Sequence, residues 1–291
     1  MSPQGIRGTT GDSGSPQPSR PHLGRLSASS DIDAGTWILV ALRDFDGTVG
    51  SIVPPVFEAY ARIFHPASRG TGDDQLAVRW ADVAEANGRE MHPAAEWGSI
   101  TGSWEYQYRS TQPGLWDGPP STGELPDGVA QRLVAVLSTH TDDPNHGFFG
   151  IWEGWGTGTP VFLFAKDTPG KVRQHAQEAF DAEVAAWRGL VESAASFDVP
   201  QRPMHLLCGP LVAIDDFYER YDGHPPSLWW PADKRWCVGT GVDLMTTYVG
   251  GSSAAIETLL ADDQLEVLAV PDNQSITWEA DTINPLPEPP Y

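Results

Sequence analysis

Three short stretches carry side chains whose types and spacing could do chemistry. In LVALRDFDGTVG (39–50), Asp44 and Asp46 stand two residues apart and run into Gly47. Carboxylates so placed can share work around a divalent cation, and Asp-Gly is also one of the commonest turn signals. HTDDPNH (140–146) gathers His140, Asp142, Asp143 and His146, all metal-compatible donors in a composition that also makes turns after helices. VGGSSAAIETLL (249–260) is a Gly-Gly-Ser-Ser turn opening a helix. Its free N–H groups could receive an anion; the simpler reading is a helix capped by Ser252 or Ser253. The chain has no Gly-x-Ser-x-Gly elbow and no Gly-x4-Gly-Lys nucleotide loop.

DFDGTV resembles the first motif of the haloacid-dehalogenase-like hydrolases, in which a hydrophobic strand runs into Asp-x-Asp-Gly-Thr. The resemblance implies that Asp44 attacks phosphorus, that Asp46 protonates the leaving oxygen, and that Gly47 makes the tight turn. It further implies Ser138 or Thr139 on a phosphoryl oxygen, Lys166 or Lys171 neutralising its charge, and a magnesium ion held by Asp44 with Asp215 and Asp216. The likeness covers residues 44–48, and the chain departs from the pattern in three places. Arg43 interrupts the apolar approach to Asp44. The run ending at Ser138 has Val129, Leu133, Val136 and Leu137 on one helical face. Residues 89–124 do not read as a helical cap.

Longer phrases, among them VGSIVPPVFEAYARIFHPA (49–67), GFFGIWEGWG (147–156) and WWPADKRWCVGTGVDLMTTYVGGSSAAIETLL (229–260), resemble a family of uncharacterised proteins from high-GC Gram-positive bacteria. That resemblance spans most of residues 36–283. It implies no activity, cofactor or catalytic residue, and it places the weight of residues 44–50 on Gly-Thr-Val-Gly, so DFDGT is expected to be a strand-to-loop turn. Within the last phrase, Pro231 starts a turn, and Asp233 caps it or pairs with Arg235. Trp236 and Val238 should point to one face of the following strand and Cys237 to the other. Trp229, Trp230 and Asp233 form either sheet core or the rim of a binding cleft, with core the favoured reading.

The elements that must position these residues alternate in kind. TWILVAL (36–42) has the apolar run of a buried strand, and VFEAYARIF (56–64) has Val56, Tyr60, Ile63 and Phe64 at helical spacing. Helices are expected over 78–88, 128–140, 173–194 and 252–262. Strands are expected over 148–156 paired with 160–166, over 204–214 and 235–250, and over 265–270. The fold class is therefore α+β or mixed α/β. One globular domain is expected over 31–283, with a subdivision near 141 left open, between a disordered leader (1–30) and a proline-rich tail (284–291).

The chain has 291 residues, 12 of them Trp, with 39 acidic against 18 basic side chains and a net charge of −21. Phosphate backbones need clustered Lys and Arg, so nucleic acid is disfavoured as a partner, as is an anionic membrane. Two well-separated cysteines, Cys208 and Cys237, make no disulfide framework. No apolar run has the length of a signal peptide or a membrane span. The expectation is a bacterial cytoplasmic protein without cofactor, a non-enzymatic acidic module that binds another protein. The alternative is the magnesium-dependent phosphohydrolase of Asp44 and Asp46.

Overall fold

The computed structural model describes residues 22–103, 112–155, 169–200, 202–219 and 224–287. The elements run β1 (His22–Leu23), β2 (Leu26–Ala28), α1 (Asp33–Ala41), β3 (Ala59–Phe64), β4 (Ala67–Arg69), β5 (Leu76–Val78), α2 (Trp80–Ala86), α3 (Trp97–Thr101), α4 (Asp127–Leu137) and β6 (Gly147–Trp152). The second half holds α5 (Gly170–Ser193), β7 (Ser196–Val199), β8 (Arg202–Gly209), α6 (Asp215–Tyr218), β9 (Leu228–Pro231), β10 (Cys237–Thr240), β11 (Thr246–Gly251), α7 (Ser253–Leu260) and β12 (Val267–Val270). Ten strands form one sheet in the order β1-β2-β8-β6-β9-β10-β11-β3-β12, with β7 also paired to β8, and β4–β5 form a separate ribbon. Every strand pair described is antiparallel. The class is thus α+β. No helix among the described residues is long and apolar enough to cross a membrane.

The sheet is covered on both faces, and the two-residue period of its strands decides which side chain goes where. On β9, β10 and β11, Trp229, Val238 and Val249 meet α4 and α7 in one core cluster. Their neighbours Trp230, Cys237 and Tyr248 meet α1 and residues 49–53 in the other. The alternation of Trp236 and Val238 against Cys237 follows the expectation. A third cluster packs Phe64, Trp80, Trp97 and Trp116 in a row of edge-to-face and tilted rings, with neighbouring ring centroids 5.0, 5.1 and 5.3 Å apart.

Two elements differ from the sequence reading. Residues 36–41 belong to helix α1, with Leu42 as its C-cap, and not to a strand. Ala34, Ile38 and Leu42 are buried at four-residue spacing while Val40 is 82% exposed. The Ala34 N–H donates to Asp31 Oδ1 at 3.2 Å at the helix start. Gly35 lets α1 lie on Phe197, whose ring would be 3.2 Å from a Cβ placed there. A short apolar run fits either element, and the amphipathic arrangement settles on the helix. Residues 59–64 are conversely a central strand, not a helix. β3 sits between β11 and β12, with Ala61 and Ile63 on one face and Tyr60 and Phe64 on the other. Arg62, on the same strand, is buried. Its guanidinium donates to Glu96 Oε1 at 2.9 Å and to Pro93 O at 3.0 Å, with the Phe64 ring 4.8 Å away.

The other helices lie close to their expected places, whereas the strand expected over 204–214 ends at Gly209 and gives way to a helical turn over Leu211–Ile214, and that over 235–250 divides into β10 and β11. The strand proposed over 160–166 falls outside the described residues, and β6 has β8 on one edge and β9 on the other. Residues 1–21 of the expected leader and 288–291 of the tail are also outside the described set. Residues 22–28, within the stretch read as leader, form β1 and β2 at the edge of the sheet.

Candidate binding cleft

DFDGT is a turn, and it follows a helix. Leu42 ends α1, and the Arg43 side chain is tied to Asp272 Oδ2 at 2.5 Å. The Asp46 carboxylate accepts from the Thr48 N–H at 3.0 Å and from the Thr48 hydroxyl at 2.6 Å, the local bonding by which Asp makes turns. Gly47 takes φ = 73°, a left-handed conformation that disfavours a side chain. The turn is laced to a second segment. Val49 N–H donates to Gln274 O, Gly50 N–H to Asp272 O, and Ile276 N–H to Gly47 O, around a bridge between Thr48 and Ser275. This lacing sets Phe45, 54% exposed, opposite Trp278, 50% exposed.

The other candidate residues do not converge with it. Asp216 Oδ1 accepts from Arg25 Nε at 2.9 Å and Nη2 at 2.5 Å, and its Oδ2 accepts from the Arg25 N–H at 2.6 Å. Asp215 lies 3.6 Å from the same guanidinium. Asp44, Asp215 and Asp216 form no common group: among the described residues, no three of His, Cys, Asp and Glu could hold a metal ion together. Ser138 and Thr139 close the end of α4, their hydroxyls donating to Ala135 O and Val136 O. Lys171 is exposed on α5, and Lys166 lies outside the described residues. In HTDDPNH, His146 pairs with Asp143, Asp142 with Arg235, and His140 with the Thr258 hydroxyl. Ser252 caps α7, accepting from the Ala255 N–H at 3.2 Å.

Trp229 and Trp230 are fully buried on opposite faces of β9, so the cleft-rim reading of this pair is replaced by sheet core. Trp229 packs edge-on against Trp236 with centroids 5.2 Å apart, and Trp230 stacks on Phe148 at 5.9 Å. Asp233 closes a surface turn, accepting from the Thr141 hydroxyl and the Asp142 N–H at 2.8 Å each and lying 3.4 Å from Arg235 Nε.

The site the structure does present is a cleft of about 690 Å3 beside the DFDGT turn, within the size range of small-molecule pockets. Phe45 and Gly47 form one wall, and Ile276, Thr277 and Trp278 another. Trp152 at the end of β6 and Gly241–Leu244 between β10 and β11 complete it. Ile52 and Arg202 also line it. Arg202 is the only basic side chain among these residues and Asp243 the only acidic one.

Arg202 is the unexpected member. It opens β8 in phase with Met204 and Leu206, both core residues of the α1 face, so the pleat carries a charged side chain inward. It is 5% exposed. Its Nη2 donates to Ser51 O at 2.8 Å, whereas Nε is buried with no partner among the described residues. Burial pushes the guanidinium below its ordinary pKa, and the Asp243 carboxylate acts in the opposite sense. An arginine stays protonated even so, and a buried, half-bonded cation is costly unless another group meets it. The sequence held one signal for this site: an arginine in register with the buried positions of RPMHLL.

Comparison of the chain with protein-family models, with curated protein sequences and with solved structures returns no match.

Proposed function

We propose that this protein is a non-enzymatic binding module whose specific contact is made in the cleft between the DFDGT turn and Trp278. The observation that carries the reading is Arg202: a nearly buried cation with unused hydrogen-bonding capacity, set at an apolar and aromatic cleft. Mostly apolar walls with a few convergent polar groups are the usual form of a ligand site.

The phosphohydrolase alternative has less to support it. It needs its nucleophile at the carboxyl end of a central parallel strand, next to a set of magnesium-binding acids. Here Asp44 follows a helix, its neighbours are surface turn residues, and Asp215 and Asp216 face Arg25. A cytoplasmic setting goes with the binding reading, since Cys208 and Cys237 form no disulfide with each other. A protein rather than a nucleic acid as the larger partner goes with the acidic, lysine-poor composition.

A screen of neutral apolar fragments by ligand-observed NMR tests the cleft. The expected result is a set of fragments whose signals report binding to the wild type and lose it in Phe45→Ala and Trp278→Ala. Fragments that bind both variants as well as the wild type would place recognition elsewhere.

A further inference from the structure

We infer that the cleft takes a zwitterionic α-amino acid with a large apolar side chain, its carboxylate on Arg202 and its ammonium on Asp243. The inference rests on the cleft being the binding site and names what that site selects.

Charge sets the first constraint. Among its described residues the lining holds one cation and one anion, and these two are not an ion pair: the salt bridges of the described residues include none between them. Each is left to meet an opposite charge on a ligand lying between them. Arg202 supplies planar N–H donors suited to a carboxylate. A phosphate would bring a second negative charge with no second cation among the described lining residues to receive it, and Asp243 would repel it.

Position sets the second. Arg202 is deep and Asp243 is exposed on the β10–β11 connection, so the ligand's anionic end goes inward and its cationic end outward. A simple carboxylic acid leaves Asp243 unmatched, and a simple amine leaves Arg202 unmatched. An α-amino acid carries both charges on one carbon, and its side chain is then free to lie along the walls.

The walls set the third. Phe45, Trp152 and Trp278 offer aromatic surface, and Ile52, Leu244 and Ile276 offer aliphatic surface. A side chain of the size of Phe, Trp or Leu buries against them with the usual apolar gain. The Phe45 ring also faces the Arg202 guanidinium, 5.8 Å from centroid to Cζ. This contact helps hold the cation in place.

Calorimetric titration with four probes tests the assignment: L-phenylalanine, L-phenylalaninamide, N-acetyl-L-phenylalanine and glycyl-L-phenylalanine. L-tryptophan and L-leucine, each with its amide and N-acetyl form, follow. At least one free amino acid should bind about tenfold or more tighter than both its amide and its N-acetyl form, the size of one lost charge-assisted hydrogen bond. Asp243→Asn should weaken the free amino acid by a similar factor and leave the N-acetyl form unchanged. Arg202→Gln should abolish the preference for the carboxylate over the amide. Should Arg202→Gln not fold, the Asp243→Asn result and the probe series still decide.

Equal binding of amide and free acid removes Arg202 as the anchor and overturns the inference. N-acetyl or glycyl forms that bind as well as the free amino acid overturn it in favour of a polypeptide C-terminus, with the cleft reading intact. Absence of binding by every amino acid at millimolar concentration also overturns it. If neutral fragments still depend on Phe45 and Trp278, the cleft reading survives that outcome; if they do not, both fall.

Discussion

The guanidinium carbon of Arg202 lies 5.8 Å from the centre of the Phe45 ring. One residue opens an inward-facing file of strand β8, and the other projects from the middle of the DFDGT turn. The relationship gives the turn a purpose that its two aspartates do not. Asp46 holds the Thr48 backbone and hydroxyl, Gly47 supplies the left-handed residue, and the product is an exposed aromatic ring placed against a buried cation.

The turn is therefore expected to respond to substitution in three distinct ways. Asp44→Asn should change stability by less than about 0.5 kcal/mol, as is usual for an exposed position. Neither it nor the wild type should hydrolyse phosphomonoesters with magnesium. Asp46→Ala should cost about 1 kcal/mol through its lost hydrogen bonds to Thr48, and should weaken ligands in the cleft by loosening Phe45. Phe45→Ala should leave urea unfolding nearly unchanged and abolish binding. Magnesium-dependent turnover that vanishes in Asp44→Asn would restore the phosphohydrolase.

The tryptophans of β9 should behave as core. Trp229→Ala and Trp230→Ala each remove a fully buried indole and should each cost about 3–5 kcal/mol. Trp278→Ala, at a half-exposed position, should cost far less and act on binding instead. Denaturant midpoints for the three variants, set beside their affinity for a cleft ligand, separate these roles. A Trp229 variant of wild-type stability with lost binding would reverse the assignment.

The same contrast shows what was legible in the sequence. Trp236, Cys237 and Val238 declared their alternation because strand residues sort strictly by parity, and α4, α5 and α7 declared theirs by helical spacing. The residues of α1 and β3 did not. WILVA is apolar at nearly every position, so its period is hidden until packing on Phe197 selects one face. In 56–64 the apolar spacing fits a helix as well as a strand, and the partner that lets Arg62 be buried, Glu96, lies 34 residues away. The cleft was equally hidden. Its turn, its arginine and its tryptophan come from three distant segments that only the sheet brings together.

Arg62 provides a prediction of its own. Its charge is enclosed by Glu96, the Pro93 carbonyl and aromatic rings, so removing only its partner strands it. Glu96→Ala should destabilise the fold by about 3–5 kcal/mol, and replacing both residues by apolar ones of similar size should cost much less. A double-mutant cycle in urea measures the difference. A Glu96→Ala penalty below about 1 kcal/mol would mean that the pair is solvated in solution.

His65 should give the fold a pH dependence on the acid side. Its ring is buried between the Ser121 carbonyl and the Thr247 hydroxyl, each 2.8 Å from a ring nitrogen. A carbonyl only accepts, so Nδ1 carries the proton, and Nε2 accepts from Thr247. The Thr247 oxygen is then left to accept from Thr240, 2.8 Å away. Protonating Nε2 would break this chain in a buried site, and burial lowers the His65 pKa from 6.5 to about 4. A depressed pKa means that the unfolded chain takes up a proton first as pH falls. The contribution is fully present above pH 6.5 and is lost as pH drops through that value toward 4, reaching about 3 kcal/mol. Many carboxylates also titrate near the lower end, so the quantity to measure is the difference between wild type and His65→Gln in urea unfolding from pH 7.5 to 4. The variant should be less stable at neutral pH, and the gap should narrow as the pH falls. A gap that stays constant across the window would show that His65 is protonated in the folded protein as readily as in the unfolded chain.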